Sequence, residues 1–279
     1  MAEARNGVVI NADSAQVYRD LRILSARPTA LDESRAPHAL YGYVDGAQAC
    51  SAATWAAEAT TEIERAWNLG RLPIVVGGTG LYLRTLLDGI APVPEIDPAV
   101  RADVRGLAVD AARAQLAQLD APAAARLHAN DASRIARALE VVRSTGRSLA
   151  EWQDARPGGI GDRVTLTPLI LLPDRADLTR RCDARVAEMF DQGAIDEVKA
   201  LLERADIPAD APVRRAIGVR EIQSWLRGEA DRATAVESTC LATRQYAKRQ
   251  YTWFRNQPPE HWPRLDCAEN ALNAILLRI

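Results

Sequence analysis

The chain has 279 residues, 48% of them apolar and 26% charged, which suits a soluble protein with a real core in one large or two smaller domains and excludes wholesale disorder. Thirty-five basic residues against 37 acidic ones give a formal charge of -2. That argues against a uniformly basic nucleic-acid wrapper and leaves room for a local basic groove. Cys50, Cys182, Cys240 and Cys267 lie far apart, as do His38, His128 and His261, so neither a zinc site nor a disulfide framework is signalled. There is no leader-like N-terminus and no apolar run of membrane-spanning length, and a cytoplasmic protein without a membrane partner is expected.

The β-branched run Gly7 to Asn11 predicts a buried strand that ends in the polar cluster Asn11-Ala12-Asp13-Ser14. Ser51 to Leu69, with Trp55, Ala59, Ile63 and Trp67 about a turn apart, predicts a crossover helix. Leu72 to Val76 predicts a second strand. It runs into Gly77-Gly78-Thr79-Gly80 and then a helix from Leu81 to Leu87. Strand, helix, strand, glycine loop and helix are the alternation of a parallel α/β sheet.

Three prolines between Ala91 and Pro98 punctuate the chain, and Ala99 to Gln153 reads as almost wholly helical up to the breakers Pro157 to Gly161. The expected organisation is an α/β core over 1–94 and 161–279, with a helical insertion over 95–160. Val164 to Leu172 predicts an inner strand interrupted by Pro168. A long helix capped by Asp177 should then run from Leu178 to Arg204, with a break near Gly193. Gly218 to Leu226 and Ala230 to Phe254 predict two more helices.

Asp13 and Ser14 fall at the carboxyl end of the first strand, where open parallel sheets bind ligands; an Asp-Ser pair there can equally be a simple turn or cap. The Gly77 to Gly80 loop leads into a helix start whose N–H groups suit an anion, or else it lets strand and helix pack closely. At 100° per residue Arg185 projects near the stripe of Leu178, Cys182, Val186 and Met189, with Arg181 one turn earlier on its flank. A guanidinium in that position needs an anion, either a structural carboxylate or a ligand. On the last long helix Arg244, Lys248 and Arg255 form a cationic edge beside aromatic residues, with Gln245 and Gln250 left for polar contacts. Such an edge can follow an RNA backbone or be a solvated surface.

Asp13 to Tyr18, Pro37-His38, Gly77 to Tyr82, Asn130-Asp131 with Arg134 to Glu140, Arg215 to Gly218 and Ala242 to Gln250, in this order, resemble the bacterial tRNA dimethylallyltransferases, also called tRNA isopentenyltransferases. The resemblance implies a P-loop NTPase-like parallel core with an insertion that grips tRNA. It implies transfer of a dimethylallyl group from dimethylallyl diphosphate, with Mg2+, to N6 of the adenosine beside the anticodon. By match to the family's motifs, Asp13 would be the base and Arg185 would meet the diphosphate, with Arg181 beside it. Contacts to the tRNA anticodon stem-loop would come from Asp13, Ser14, Ala15, Gln16, Thr79, Arg101, Ser133, Arg134 and Arg137. Arg215, Arg220, Arg244, Gln245, Lys248, Arg249 and Gln250 would add to them, in a protein acting as a monomer. The sequence contains no Gly-x-x-x-x-Gly-Lys-Ser/Thr loop. The expectation is therefore an N-terminally truncated core with impaired transfer, or a noncatalytic tRNA-binding remnant, and no metal ligand can be named.

Overall fold

A computed structural model describes residues 1–154 and 157–267. The chain divides into two compact units, Met1–Leu86 with Arg163–Ile279, and Leu87–Asp162. The first is α/β. Strand β1 (Gly7–Asn11) is central, with β2 (His38–Ala39) on one side and β3 (Leu72–Val76) on the other, both parallel to it. Helix α1 (Ala30–Arg35) precedes β2, and α2 (Ala52–Asn68) makes the crossover to β3. The face that α2 buries is Trp55, Ala56, Ala59, Ile63 and Ala66. Trp67, expected on that face, is 44% exposed; Ala66, one residue earlier, fits close to the sheet where the indole would not.

Trp55 is wholly buried and does two things. Its indole N–H donates to Asn11 O (2.8 Å), and its ring stacks on Tyr82 of α3 (Gly80–Asp88) at 4.5 Å. One side chain thus ties the crossover helix, the end of β1 and the helix after the glycine loop together, with the polar tip satisfied as a buried Trp requires.

The second unit is all helical: α4 (Pro98–Gly106), α5 (Val109–Leu119), α6 (Ala121–Arg126), α7 (Ala132–Thr145) and α8 (Leu149–Gln153). Asp97, Asp120, Asp131 and Ser148 cap four of these helix starts. The unit has its own core of Val104, Leu116, Ile135, Leu139 and small alanines between them.

The first unit resumes differently from the expectation. Strand β4 is only Ile170–Leu171, and its described neighbour is the short β5 (Arg264–Leu265) in a separate two-stranded sheet. Pro168 has no N–H to give to a ladder, which removes pairing from the residues before it. The long helix is two: α9 (Arg175–Asp191), capped by Asp174 rather than Asp177, and α10 (Ala194–Glu203). Gly193, at φ +114°, makes the break, a conformation β-carbon-bearing residues avoid. Helices α11 (Val219–Leu226) and α12 (Arg232–Asn256) complete the unit. No helix among the described residues is long and apolar enough to cross a membrane.

Candidate active site and nucleic-acid surfaces

The residues at the end of β1 are held in place by Asn11, which is completely buried. Its side-chain oxygen accepts from Asp13 N (2.8 Å), and its amide donates to Asp13 O (3.0 Å) and Leu40 O (2.9 Å). An Asn that closes a turn on its own backbone is a familiar signal at strand ends, and a polar cluster in the sequence does not by itself single it out. The turn sets the Asp13 carboxyl against the Ala15 N–H (2.9 Å) and near that of Gln16. Ser14 N–H donates to Thr79 Oγ1 (2.9 Å), and Thr79 Oγ1 is 3.2 Å from Ser14 Oγ. The structure therefore joins the strand end and the glycine loop through one hydroxyl.

Burial pushes the Asp13 carboxyl above its ordinary range; the Ala15 and Gln16 N–H groups and the positive charge of Arg185 pull the other way without cancelling it. Three phenols are within charge range of this carboxyl. Burial and the Asp13 charge push Tyr41 up to about 12, and the same two influences raise Tyr82, together with Cys50, and Tyr246. All three remain protonated at neutral pH. Thr79 and Gln250 lie close enough to the Tyr246 phenol to pull it part of the way back down. It was missed in the sequence because it sits among arginines and glutamines that pointed to a solvated helix edge.

The glycine loop is an internal contact on both sides. Thr79 N donates to Ala12 O (3.1 Å), and Gln250 Nε2 to Gly78 O (3.1 Å). A β-carbon on Gly77 would lie 2.2 Å from the Ala12 backbone, one on Gly78 2.0 Å from Gln250, and one on Gly80 2.3 Å from the Trp253 ring. Of the two openings the sequence left, close packing is the one the geometry supports, since the Thr79 N–H is already occupied.

Arg185 differs from the helical-wheel expectation. Cys182, Val186, Met189 and Phe190 are the buried residues of α9, whereas Arg185 is exposed. Phe190 draws the centre of the apolar stripe away from Arg185, so the guanidinium is solvated and has no ion-pair partner among the described residues. Its charge is nevertheless felt at Asp13. Arg181 is exposed as well. If Asp13 must be ionised to act, replacing Arg185 by Gln removes a charge that lowers its pKa. The acid limb of kcat/KM should then move to higher pH, and a pH–rate profile of the variant checks this.

The expected RNA contacts are distributed over both units. In the first, Ala15 and Gln16 are half-buried, and the Gln16 amide N–H groups already donate to Ser25 O (3.0 Å) and Ala26 O (2.8 Å). Arg244 pairs with Asp183 on α9 (3.4 Å) and so does not stand free on the α12 edge. Gln245, Lys248 and Arg249 are exposed, with Arg249 lying over the Tyr246 ring, and Gln250 is turned into the glycine loop. Arg215 and Arg220 are exposed. In the helical unit Arg101, Ser133, Arg134 and Arg137 are all exposed, and Arg134 pairs with Asp131 (3.4 Å).

Comparison with known proteins matches residues 16–257 to the model of the family described as IPP transferase. A tRNA dimethylallyltransferase of Sphingopyxis alaskensis is 62% identical over 93% of this chain and 84% of its own length. One of Novosphingobium aromaticivorans is 57% identical over the full length of both. Among solved structures, the tRNA isopentenylpyrophosphate transferase of Bacillus halodurans superposes with a TM-score of 0.69 at 32% identity, covering 98% of this chain and 87% of that one. A eukaryotic dimethylallyltransferase acting on tRNA gives a TM-score of 0.74 at 29% identity, over 90% and 64% of the two chains. The fold is the P-loop-like α/β fold of these enzymes, and the chain belongs to the IPP transferase family.

Proposed function

We propose that this chain transfers a dimethylallyl group from dimethylallyl diphosphate to N6 of the adenosine beside the anticodon of a tRNA, acting as a cytoplasmic monomer. The observation that carries the proposal is Asp13: a strand-end carboxyl fixed by Asn11, within charge range of three phenols and of the exposed Arg185. Adenine N6 is a weak nucleophile and must lose a proton as its bond to the prenyl C1 forms. A carboxylate within hydrogen-bond reach orients the amine and accepts that proton. The C1–O bond to diphosphate breaks in the same event, and the negative charge that leaves is met by Arg185 and Arg181. A base in a single-stranded loop reaches such a pocket by leaving its stack at modest cost.

Magnesium is proposed as the counter-ion of the diphosphate. No three His, Cys, Asp or Glu side chains are grouped to ligate a metal among the described residues. RNA contacts are proposed for the exposed Arg101, Ser133, Arg134 and Arg137 of the helical unit and for Arg215, Arg220, Gln245, Lys248 and Arg249 of the α/β unit. Mass analysis of an anticodon stem-loop incubated with protein and dimethylallyl diphosphate tests the reading. One added dimethylallyl group on that adenosine, with one diphosphate released, is the expected result. Retained RNA binding with no mass gain would overturn the transfer and leave a tRNA-binding protein.

A further inference from the structure

The helical unit contains a carboxylate for which the proposed chemistry has no use. Glu140 on α7 is 2% exposed, and a carboxylate is rarely buried without a partner. Its partner comes from α4: Arg105 Nε donates to Glu140 Oε1 at 3.0 Å. That bond occupies the inner nitrogen of the guanidinium, whose side chain is still 58% exposed. The two terminal nitrogens have no protein partner among the described residues.

Two more arginines share the place. Arg101 lies one turn before Arg105 on α4, exposed and without an ion pair among the described residues, and Arg137 lies one turn before Glu140 on α7. Arg137 is within charge range of Glu140, Arg101 and Arg105. Two other arginines of the unit are individually neutralised, Arg134 by Asp131 and Arg143 by Asp103 (2.6 Å). Arg137 thus feels two like charges, those of Arg101 and Arg105, against the one carboxylate of Glu140, a local positive excess that an anion would relieve.

We propose that Arg105 grips the RNA sugar-phosphate backbone together with Arg101 and Arg137, and that buried Glu140 is the positioning residue that aims it. The proposal rests on the tRNA reading above and adds two residues that reading does not include. The sign of the Glu140 effect is diagnostic. Glu140→Gln removes a negative charge from a basic surface, so charge alone would tighten RNA binding, whereas loss of aim weakens it.

The test is the Kd of the full chain for a fluorescent anticodon stem-loop, measured between about 50 and 200 mM salt, with melting curves of each variant. Arg105→Ala should weaken binding about threefold to tenfold and lower the slope of log K against log salt by about one. Glu140→Gln should weaken binding too, and the double variant should bind no worse than Arg105→Ala alone. Unchanged affinity and slope in Arg105→Ala would overturn the proposal even if Glu140→Gln fails to fold. So would tighter binding by a folded Glu140→Gln. A wild-type chain that binds no stem-loop would instead bring down the tRNA reading, and this inference with it.

Discussion

Asp13→Asn should lower the single-turnover rate of prenyl transfer by about 10²- to 10⁴-fold, the range a positioned general base contributes, while tRNA affinity stays nearly constant. Asn keeps the size and the acceptor for the Ala15 N–H and lacks a site for the N6 proton. The same substitution should raise the melting temperature at neutral pH. The sign follows from linkage: burial holds the Asp13 carboxyl of the folded protein above its ordinary value, so the folded state binds the proton more tightly than the unfolded one. The stability this group contributes is present below the unfolded pKa and is lost as pH rises through the folded pKa. Removing the charge restores it. Single-turnover kinetics and a melt at neutral pH check both halves; an unchanged chemical rate would reduce Asp13 to a turn residue.

Glu197→Ala should destabilise the protein more than the exchange of an ordinary surface carboxylate. From α10 its carboxylate accepts the N–H groups of Arg22, Ile23 and Leu24, at 2.8–3.0 Å. A hydrogen bond to a charged acceptor is worth more than a neutral one, and a donor stripped of its partner costs about 1–3 kcal/mol. Three donors affected together justify an expected loss of about 3 kcal/mol, and a melting temperature lower by roughly 2–4 °C for each kcal/mol. The loop these donors belong to leads on from Asp13 and includes Ser25 and Ala26, whose carbonyls hold Gln16. Thermal or urea unfolding of the variant measures the effect, and a melting point equal to wild type would show that solvent replaces the carboxylate without loss.

What the sequence made legible was whatever depends on local period and local breakers. β1, α2, β3 and α3 follow from β-branched runs, a helical stripe and a glycine loop, and the helices from α4 onward follow the proline cluster. What was misjudged depends on neighbours far away in the chain. Arg185 looked half-buried because the stripe was drawn without Phe190, and Arg244 looked free because its partner Asp183 is 61 positions earlier. Val164 to Leu172 looked like an inner strand because hydrophobicity reports burial and not the number of pairing partners. At the site, Asp13, Ser14 and Thr79 were legible as motif residues. Asn11 and Tyr246 were not, because Asn11 also reaches across to Leu40 O and Tyr246 comes near Asp13 and Thr79 only in the fold.

The tight seat of the glycine loop has a consequence for how this sequence can drift over generations. Gly78 faces the flexible end of Gln250, which can swing aside, whereas Gly80 faces the rigid ring of Trp253. A side chain at position 80 therefore needs a smaller residue at position 253 at the same step. Gly77 faces the main chain of Ala12, which no substitution can trim. Its mutational freedom is therefore nil, that of Gly80 is tied to Trp253 and that of Gly78 is wider, so three glycines of one Gly-Gly-Thr-Gly loop are under different constraints.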